Sequence, residues 1–481
     1  MKRGRRLPMP SLQAIAMAGG LAMVTPAAVA IDIPSLIDRL EALRTQHGIA
    51  GVGLVMVADG HVLHEGGLGT ADRATGRPAD GRTLWRIGSV TKSVTALATL
   101  VAARDHAFAI DDPVRLLVPD APFENPWEAT DPVRVVHLLE HTAGFLDLTR
   151  PEFDSSDPAP LSLAQAFAVD PSSRTARWTP GRYSSYSNSG AGLAALVIER
   201  RTGRSFEDFV ATRILGPLGM TETGFFPGPS GRDRLAVGYD RDGVTPIPYW
   251  HTLYRAFGGL DASLGDMGRY LVWLVDPSTV PVLAPEIVAR MAKPRSTLSS
   301  AIGLEYGYGL GLYEYPHDGI VLTGHGGDAD GYLSRLGFHR DSRRGYFLVI
   351  NAYHGDALSA MQGAVEDALF GDIPRVPPPP AHPIDVTALQ HLAGCYVPMT
   401  RRFPNEDPPE DQPLKVQVQE GRLITVTPGG LRKTLIPVTD RLFRRQDEPV
   451  ATSAFVDDAG TLMLQGDMGN LRREPDGQCG R

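Results

Sequence analysis

Cysteine is nearly absent from this chain of 481 residues, which has only two, Cys395 and Cys479. Because neither these cysteines nor the histidines form a cluster with metal-ligand spacing, we expect no metal centre and no cofactor. After residue 30 no segment has the length and apolarity needed to cross a bilayer. The net charge of −8 and the lack of a basic stripe argue against nucleic acid as a partner.

Lysine is also scarce, with five among the 47 basic residues. One of the five, Lys92, follows Ser89 by three residues, a spacing that places hydroxyl and amine on one helix face, one turn apart. At the start of a helix, unpaired N–H groups and the dipole also favour negative charge on a serine oxygen. An amine can lose its proton, which a guanidinium cannot. The pattern is typical of a nucleophile and its base, although Ser-x-x-Lys also occurs by chance at helix starts.

The first thirty residues have the composition of an export signal. A basic start is followed by a moderately apolar run over residues 12–24 and by small residues at positions 28–30. We predict a secretory signal peptide over residues 1–30 and a periplasmic or secreted mature protein. An uncleaved anchor and a twin-arginine signal through Arg5 and Arg6 are the alternatives. In an oxidising compartment Cys395 and Cys479 could form a disulfide; two unrelated thiols are the other possibility.

Hydrophobic periodicity predicts an α+β domain. Helices are expected over residues 34–46, from Ser89 onwards and over residues 191–201, and the second of these is apolar on most sides, as buried helices are. Strands are expected over residues 52–57, 61–68, 306–313, 321–323, 333–339 and 345–350. Because strands occur at both ends of this region, we expect them to share one sheet.

A proline-rich stretch over residues 374–383 predicts a stiff linker. It separates a domain over residues 31–373 from a C-terminal domain over residues 384–481. Short strands with turns between them are expected in the latter at residues 415–418, 423–426, 454–456 and 461–464. This pattern predicts a small antiparallel barrel or sandwich, in which we find no chemistry.

Tyr186 and Asn188 form a second candidate patch. On an extended segment, residues two apart point to one side. A tyrosinate stabilised by a neighbouring ammonium can take the serine proton and later protonate the leaving group. Asn188 could hydrogen-bond a substrate amide. Taken alone, the pattern fits equally a turn with a packed aromatic ring.

A third patch is His325-Gly326-Gly327-Asp328. Glycines on an edge strand let an extended substrate lie alongside as an added strand. One N–H of this segment, together with the N–H of Ser89, could form an oxyanion hole, and His325 could serve as a donor or titratable group. The alternative is a glycine-rich hairpin with a solvated histidine.

The three patches occur in the order Ser-x-x-Lys, Tyr-x-Asn and His-Gly-Gly. In this order they resemble the serine β-lactamase and penicillin-binding-protein superfamily, on the branch of class C β-lactamases, D-aminopeptidases and related esterases. Segments at residues 86–92, 111–114, 137–144 and 215–220 are similar as well, and the resemblance covers residues 31–370. It implies a β-lactamase/transpeptidase-like fold, with an antiparallel sheet flanked by helices and an all-helical subdomain.

The resemblance also implies roles for individual residues. Ser89 corresponds to the nucleophile, Lys92 to its activating partner and Tyr186 to the general base and acid. Asn188 would position the substrate beside the segment His325 to Asp328, and the N–H groups of Ser89 and Asp328 would bind the oxyanion.

The third motif departs from the family pattern. Lys-Thr-Gly, which recognises a carboxylate, is replaced here by His325-Gly326-Gly327, with no hydroxyl and, for an ordinary histidine, a cation only below about pH 6.5. A charge-assisted hydrogen bond contributes about 1.5–3 kcal/mol, so carboxylate substrates should lose at least about tenfold. We therefore expect a serine hydrolase with a Ser89 acyl-enzyme acting on small amide, D-amino-acid peptide or ester substrates, peptidoglycan fragments included. The alternatives are a D-Ala-D-Ala carboxypeptidase or weak class C-type β-lactamase, and a penicillin- or wall-binding module without turnover.

Overall fold

The helices are interspersed among the strands along the chain. The computed structural model describes residues 31–106, 108–155, 159–226, 229–403, 412–467, 469–475 and 479, so the predicted signal peptide lies outside the described residues. The helices are α1 (Ile33–Gln46), α2 (Thr91–Asp105), α3 (Val114–Leu117), α4 (Val135–Leu139), α5 (Arg150–Phe153), α6 (Leu163–Phe167), α7 (Asn188–Thr202), α8 (Phe206–Val210), α9 (Pro229–Arg232), α10 (Leu264–Val275), α11 (Pro285–Arg290), α12 (Leu298–Ala301), α13 (Gly355–Phe370) and α14 (Val386–Leu392).

The strands fall into two groups, separated by α13 and α14. The first group is β1 (Gly51–Ala58), β2 (His61–Asp72), β3 (Arg77–Pro78), β4 (Leu84–Arg86), β5 (Asp154–Ser155), β6 (Gly224–Phe225), β7 (Gly238–Tyr239), β8 (Pro246–Ile247), β9 (His251–Thr252), β10 (Leu260–Ser263), β11 (Tyr313–His317), β12 (Ile320–Ala329), β13 (Tyr332–His339) and β14 (Arg344–Ile350). The second is β15 (Gly394–Pro398), β16 (Leu414–Gln419), β17 (Arg422–Val426), β18 (Arg432–Pro437), β19 (Leu442–Arg444), β20 (Ser453–Asp458), β21 (Thr461–Gly466) and β22 (Gly469–Arg473).

The main sheet joins strands from both ends of the first group. It has seven strands in the order β11-β12-β13-β14-β1-β2-β3, with antiparallel neighbours, so β1 pairs with β14. All eight residues of β1 are buried, because helices such as α10 cover one side and neighbouring strands lie on both edges. The predicted sharing of one sheet is confirmed.

Helix α2 lies in the centre of the first core. Every residue from Thr91 to Ala102 is buried, which confirms the prediction of a buried helix. It packs against α7, another helix that is buried over most of its length and that ends before Gly203, a glycine in the left-handed conformation (φ 68°). The two helices carry the candidate residues at or just before their N-termini.

The second group of strands, β15 to β22, forms a closed eight-stranded antiparallel barrel. A disulfide joins Cys395 on β15 to Cys479, which decides between the two possibilities left open by the sequence. The described residues from Asp32 onwards belong to one compact unit. The α+β class with a C-terminal barrel is confirmed, while the domain boundaries at residues 373 and 384 stay predictions.

One predicted strand is wrong. The structure has no strand over residues 306–312, and β11 begins only at Tyr313. Gly307 and Gly311 have positive φ angles (140° and 74°), which extended strand residues do not adopt. A Cβ at Gly311 would lie 2.5 Å from the carbonyl oxygen of Lys92, so this glycine lets the chain pass close to α2.

Candidate active site

Ser89 lies in a single 3-10 turn, Gly88–Val90, that leads directly into α2. Lys92, one turn further, places its Nζ 3.0 Å from Ser89 Oγ and donates a second hydrogen bond of 2.8 Å to the carbonyl oxygen of Phe257. Burial lowers the pKa of Lys92 well below its ordinary value; Asp147 opposes this shift and Arg402 adds to it. The amine is therefore closer to its neutral, proton-accepting form than an exposed lysine.

The Tyr186 hydroxyl reaches the same oxygen. Its side chain hydrogen-bonds Ser89, and Lys92 Nζ lies 4.8 Å from the centre of its ring. Burial raises the pKa of Tyr186, an effect larger than the opposing hydrogen bond from Ser89. The protonated phenol is thus the stable form, whereas the sequence predicted a tyrosinate base. The two pKa directions favour Lys92 as the proton acceptor.

Asn188 is the first residue of α7, so only the residues before it are extended, contrary to the prediction for the whole segment. Its backbone N–H donates to Asp147 Oδ1 (2.8 Å) and its Nδ2 to Asp147 Oδ2 (3.2 Å). Within the described ranges its buried Oδ1 has no hydrogen-bond partner. Since a buried carbonyl oxygen normally has one, this atom is available to a substrate N–H.

The third motif lies on β12, beyond the last residue pair with β11, Tyr313 and Gly324. From His325 onwards, β12 has no residue pair with β11 among the described residues, so this edge of β12 is unpaired. Gly327 allows close packing, because a Cβ there would lie 2.1 Å from the carbonyl oxygen of Ile87. A Cβ at Gly88 would likewise lie 2.6 Å from the backbone nitrogen of Asp328. The Ser89 turn and β12 thus touch through glycines, and the oxyanion hole stays a prediction.

The sequence predicted a donor or titratable group at His325, and the structure gives both nitrogens of its buried ring a partner within the protein. Its Nδ1 is 2.5 Å from the carbonyl oxygen of Gly326, and the Tyr308 hydroxyl is 2.6 Å from its Nε2. Burial, with Lys92 nearby, lowers the pKa of His325 to about 3. A neutral ring with Nδ1 donating and Nε2 accepting satisfies both contacts, so both nitrogens are used within the protein.

These residues border a cavity of about 500 Å³. Of the predicted site residues, Ser89, Tyr186, Asn188, His325, Gly326 and Asp328 line it, whereas Lys92 and Gly327 lie behind its wall. Aromatic and charged side chains make up most of the rest: Phe153, Phe257, Tyr313, Tyr353, Phe403, Arg86, Asp154, Asp330, Arg335 and Arg402. The volume is that of a small-molecule site.

Among the residues of the site that were not predicted, Asp147, Tyr308 and Arg402 matter most for the candidate groups. Asp147 bonds Asn188, Tyr308 bonds His325, and Arg402 reaches the cavity from the loop after β15. Asp147 follows the segment at residues 137–144 that resembles the family, which is a weak signal. No feature of the sequence around Tyr308 or Arg402 marks them.

Among the described residues, no group of three or more His, Cys, Asp or Glu is arranged to hold a metal ion. Within the same ranges, no helix has the length and apolarity of a membrane span.

Comparison with known proteins confirms the resemblance predicted from the motifs. The model of the family Beta-lactamase matches residues 36–368, about the extent of the predicted resemblance. The chain belongs to the beta-lactamase family. It is 25% identical to penicillin-binding protein 4* of Bacillus subtilis over 81% of this chain and 87% of that one. It is 28% identical to a D-aminopeptidase of Cereibacter sphaeroides over 72% of this chain and 65% of that protein.

The same fold occurs in a solved structure of SurE with D-Leu. That structure covers 92% of this chain and 99% of its own, with a TM-score of 0.59 and 26% identity. The chain is thus a beta-lactamase-family protein with relatives that include penicillin-binding proteins and a D-aminopeptidase.

Proposed function

We propose that this chain is a serine hydrolase that forms an acyl-enzyme at Ser89 on small ester, D-amino-acid amide or peptide substrates. The observation that supports it most directly is the 3.0 Å contact between Lys92 Nζ and Ser89 Oγ at the wall of a cavity. The lowered pKa of Lys92 gives the serine a base within hydrogen-bond reach.

In the first step, Ser89 Oγ attacks the substrate carbonyl carbon while its proton moves to Lys92 Nζ. The negative charge that develops on the carbonyl oxygen is bound by the N–H groups of Ser89 and Asp328. As the tetrahedral intermediate collapses, the Tyr186 hydroxyl gives its proton to the leaving amine or alkoxide and regains one from Lys92. Asn188 Oδ1 accepts an N–H of the substrate. Water then attacks the acyl carbon and loses a proton to the same couple. The couple passes a proton to Ser89 Oγ as the acyl bond breaks, and the carboxylic acid product leaves.

The neutral third motif supports esters and amides as substrates over β-lactams. A carboxylate placed beside His325 would meet a neutral ring with both nitrogens already engaged. Such a substrate would lose its hydration without gaining a charged partner at that position. Esters and amides without a carboxylate there do not carry this cost.

A D-Ala-D-Ala carboxypeptidase is the second candidate. Two guanidinium groups, those of Arg335 and Arg402, line the same cavity. Either could bind a C-terminal carboxylate in place of the missing lysine. Peptidoglycan-derived peptides therefore belong in the substrate panel.

Covalent labelling tests the proposed nucleophile. The wild-type protein incubated with a fluorophosphonate should gain the mass of one adduct, and Ser89→Ala should gain none. Ser172→Ala, a change at an exposed serine, is the matched control and should be labelled at the wild-type rate. Absence of labelling in the wild type, together with no cleavage of an activated ester, would exclude the proposal.

A substrate panel separates the candidates. Faster turnover of p-nitrophenyl acetate and D-alanine p-nitroanilide than of nitrocefin or a D-Ala-D-Ala peptide supports the ester and amide proposal. Dominant cleavage of the D-Ala-D-Ala peptide supports the carboxypeptidase. A stable penicillin adduct without any product would make the chain a binding module.

We also propose export of the chain through the signal predicted at residues 1–30. The Cys395–Cys479 disulfide supports an oxidising compartment. Expression of the full chain in a Gram-negative host should yield a periplasmic protein that starts at Ile31, as measured by intact mass. A cytoplasmic product that retains residue 1 would contradict this.

A further inference from the structure

The loop that follows β15 in the barrel enters the candidate active site. Arg402 and Phe403 line the same cavity as Ser89, Tyr186 and Asn188. The barrel therefore contributes to the wall of the cleft, although its sequence carries no recognisable chemistry.

Main-chain contacts fix this loop against the first region of the chain. The backbone N–H of Asp147 donates to the carbonyl oxygen of Arg402 (3.0 Å), and Arg177 donates to that of Arg401 (2.8 Å). On the barrel side, Asn470 Nδ2 donates to the carbonyl oxygen of Ser184 (2.7 Å) and to Thr400 Oγ1 (3.1 Å). Hydrogen bonds therefore hold the loop against both the first region and the barrel. Ser184, one of the bonded residues, lies only two residues before Tyr186.

The side chain of Arg402 then touches the catalytic groups from two directions. Its Nε donates to Asp147 Oδ2 (2.6 Å), and its Cζ lies 4.6 Å from the centre of the Tyr186 ring. The Asp147 side chain is fully buried and also accepts both hydrogen bonds from Asn188. The Arg402 guanidinium therefore packs on the Tyr186 ring and binds the Asp147 carboxylate, which in turn orients the side-chain amide of Asn188.

We propose that Arg402 is a positioning residue: from the barrel it holds Tyr186 and Asn188 in place and balances the charge of Asp147 beside Lys92. The proposal goes beyond the proposed function, because it assigns the barrel a part in activating Ser89. It predicts that changes at Arg402 alter the acylation of neutral substrates, and not only the affinity for charged ones.

The charges around Lys92 define what a pH profile should show. The titratable and charged groups that face the Lys92–Tyr186 couple are Asp147, Asp328, Arg402, His141, His325 and Tyr308. Burial holds the pKa of His141 well below its usual value and that of Tyr308 well above, so both stay neutral through the working range. Asp147 and Arg402 act on the pKa of Lys92 in opposite directions. Loss of Arg402 leaves Asp147 unbalanced and should raise the pKa of Lys92.

The test compares Arg402→Gln with the wild type on p-nitrophenyl acetate, which carries no charge. We expect kcat to fall by about tenfold to a hundredfold with KM changed by less than about threefold, since Tyr186 acts after binding and this ester has no N–H for Asn188 to bind. The acid limb of the kcat/KM profile should move up by about one pH unit. Arg402→Lys should restore part of the activity. Lys415→Gln removes a cation from the exposed barrel surface and should leave both parameters unchanged.

A double variant makes the charge argument decisive. Asp147→Asn together with Arg402→Gln removes both charges, and its acid limb should return to within a few tenths of a pH unit of the wild type. Thermal unfolding establishes that each variant is folded. An unmoved acid limb in folded Arg402→Gln would overturn the proposal, as would a loss confined to KM for carboxylate substrates. Failure of the proposed function is distinct, because the wild type would then not be labelled at Ser89.

Discussion

At the scale of single residues, burial sets the protonation of the candidate catalytic groups. The pKa of Lys92 is lowered and that of Tyr186 is raised, so both move towards their neutral forms. An amine–phenol pair holds the same proton count as an ammonium–phenolate pair, but it avoids separating charge in a region shielded from water. The serine proton is therefore best accepted by Lys92, with Tyr186 as the relay.

Replacement of Lys92 by arginine tests this assignment. Lys92→Arg keeps a cation near Ser89 but removes the group that can accept a proton. The rate of fluorophosphonate labelling should fall by about 10²–10⁴-fold, the usual contribution of a general base. Lys293→Arg, at a lysine paired with Glu305 and Glu314, is the matched control and should label normally. Labelling of Lys92→Arg within fivefold of the wild type would contradict the role of the amine.

His325 makes a prediction about acid stability. The folded protein keeps His325 neutral down to about pH 3, whereas the unfolded chain protonates it below about pH 6.5. The free energy of unfolding therefore falls as the pH drops below 6.5, and His325 accounts for about 2–3 kcal/mol of the loss at pH 4.5. Urea unfolding at pH 7 and pH 4.5 should show a smaller difference in His325→Gln than in the wild type. The exposed change His61→Gln should not reduce it. Equal differences in all three proteins would be evidence against a neutral His325.

At the scale of elements, the site depends on how closely the Ser89 turn approaches β12. Gly88 adopts a φ angle of 53°, and a Cβ there would lie 2.6 Å from Asp328 N, a backbone atom that cannot rotate away. The two N–H groups assigned to the oxyanion belong to these two segments. A change in their separation should therefore affect rate more than stability.

Gly88→Ala tests this separation, and Gly76→Ala is its control. Both glycines have positive φ angles (53° and 70°), but nothing lies within 4 Å of a Cβ at Gly76. Backbone strain should destabilise both variants by about 1–3 kcal/mol, and the clash with the Asp328 backbone should add to the loss in Gly88→Ala. Only Gly88→Ala should also reduce kcat, by about a hundredfold, because it displaces the oxyanion donors. Similar kcat values in the two variants would show that the approach of the turn to β12 does not matter.

The same elements show which parts of the fold could be predicted from the sequence and which could not. Periodicity located α1 to within one residue, since apolar spacing and a proline in the first turn point to the same helix. It failed over residues 306–312, because alternation of tyrosine and glycine resembles a strand although Gly311 serves there to let the loop pass α2. The order of the three motifs located Ser89, Tyr186 and Asn188 in one cavity. Contacts between segments that are distant in the sequence, such as that of Gly311 with Lys92, cannot be predicted from the pattern of one segment alone.

At the scale of the whole molecule, the barrel and the first region share an interface that has both an apolar cluster and polar contacts. Asp458 on β20 accepts hydrogen bonds from Arg182 and Tyr183, and Gln465 on β21 accepts one from the backbone of Ser299. Arg402 and Asp147, 255 residues apart, meet beside this interface. Two neighbouring arginines, at positions 401 and 402, look alike in the sequence. Only the position of the barrel against the first region determines that Arg402 is the one that reaches the cleft.

The disulfide should help to stabilise the barrel in this position. It joins Cys395, on the strand that leads into the Arg402 loop, to Cys479 across 84 residues of sequence. Closing a loop of this length restricts the unfolded chain and typically stabilises the folded state by about 2–4 kcal/mol. Dithiothreitol should therefore lower the urea midpoint of the wild type, with thiol alkylation as the measure of reduction. The double variant Cys395→Ser, Cys479→Ser should have the lower midpoint already and should not respond to the reductant. A wild-type midpoint unchanged by complete reduction would show that the barrel is held by its core and its contacts with residues 182–184, and not by this bond.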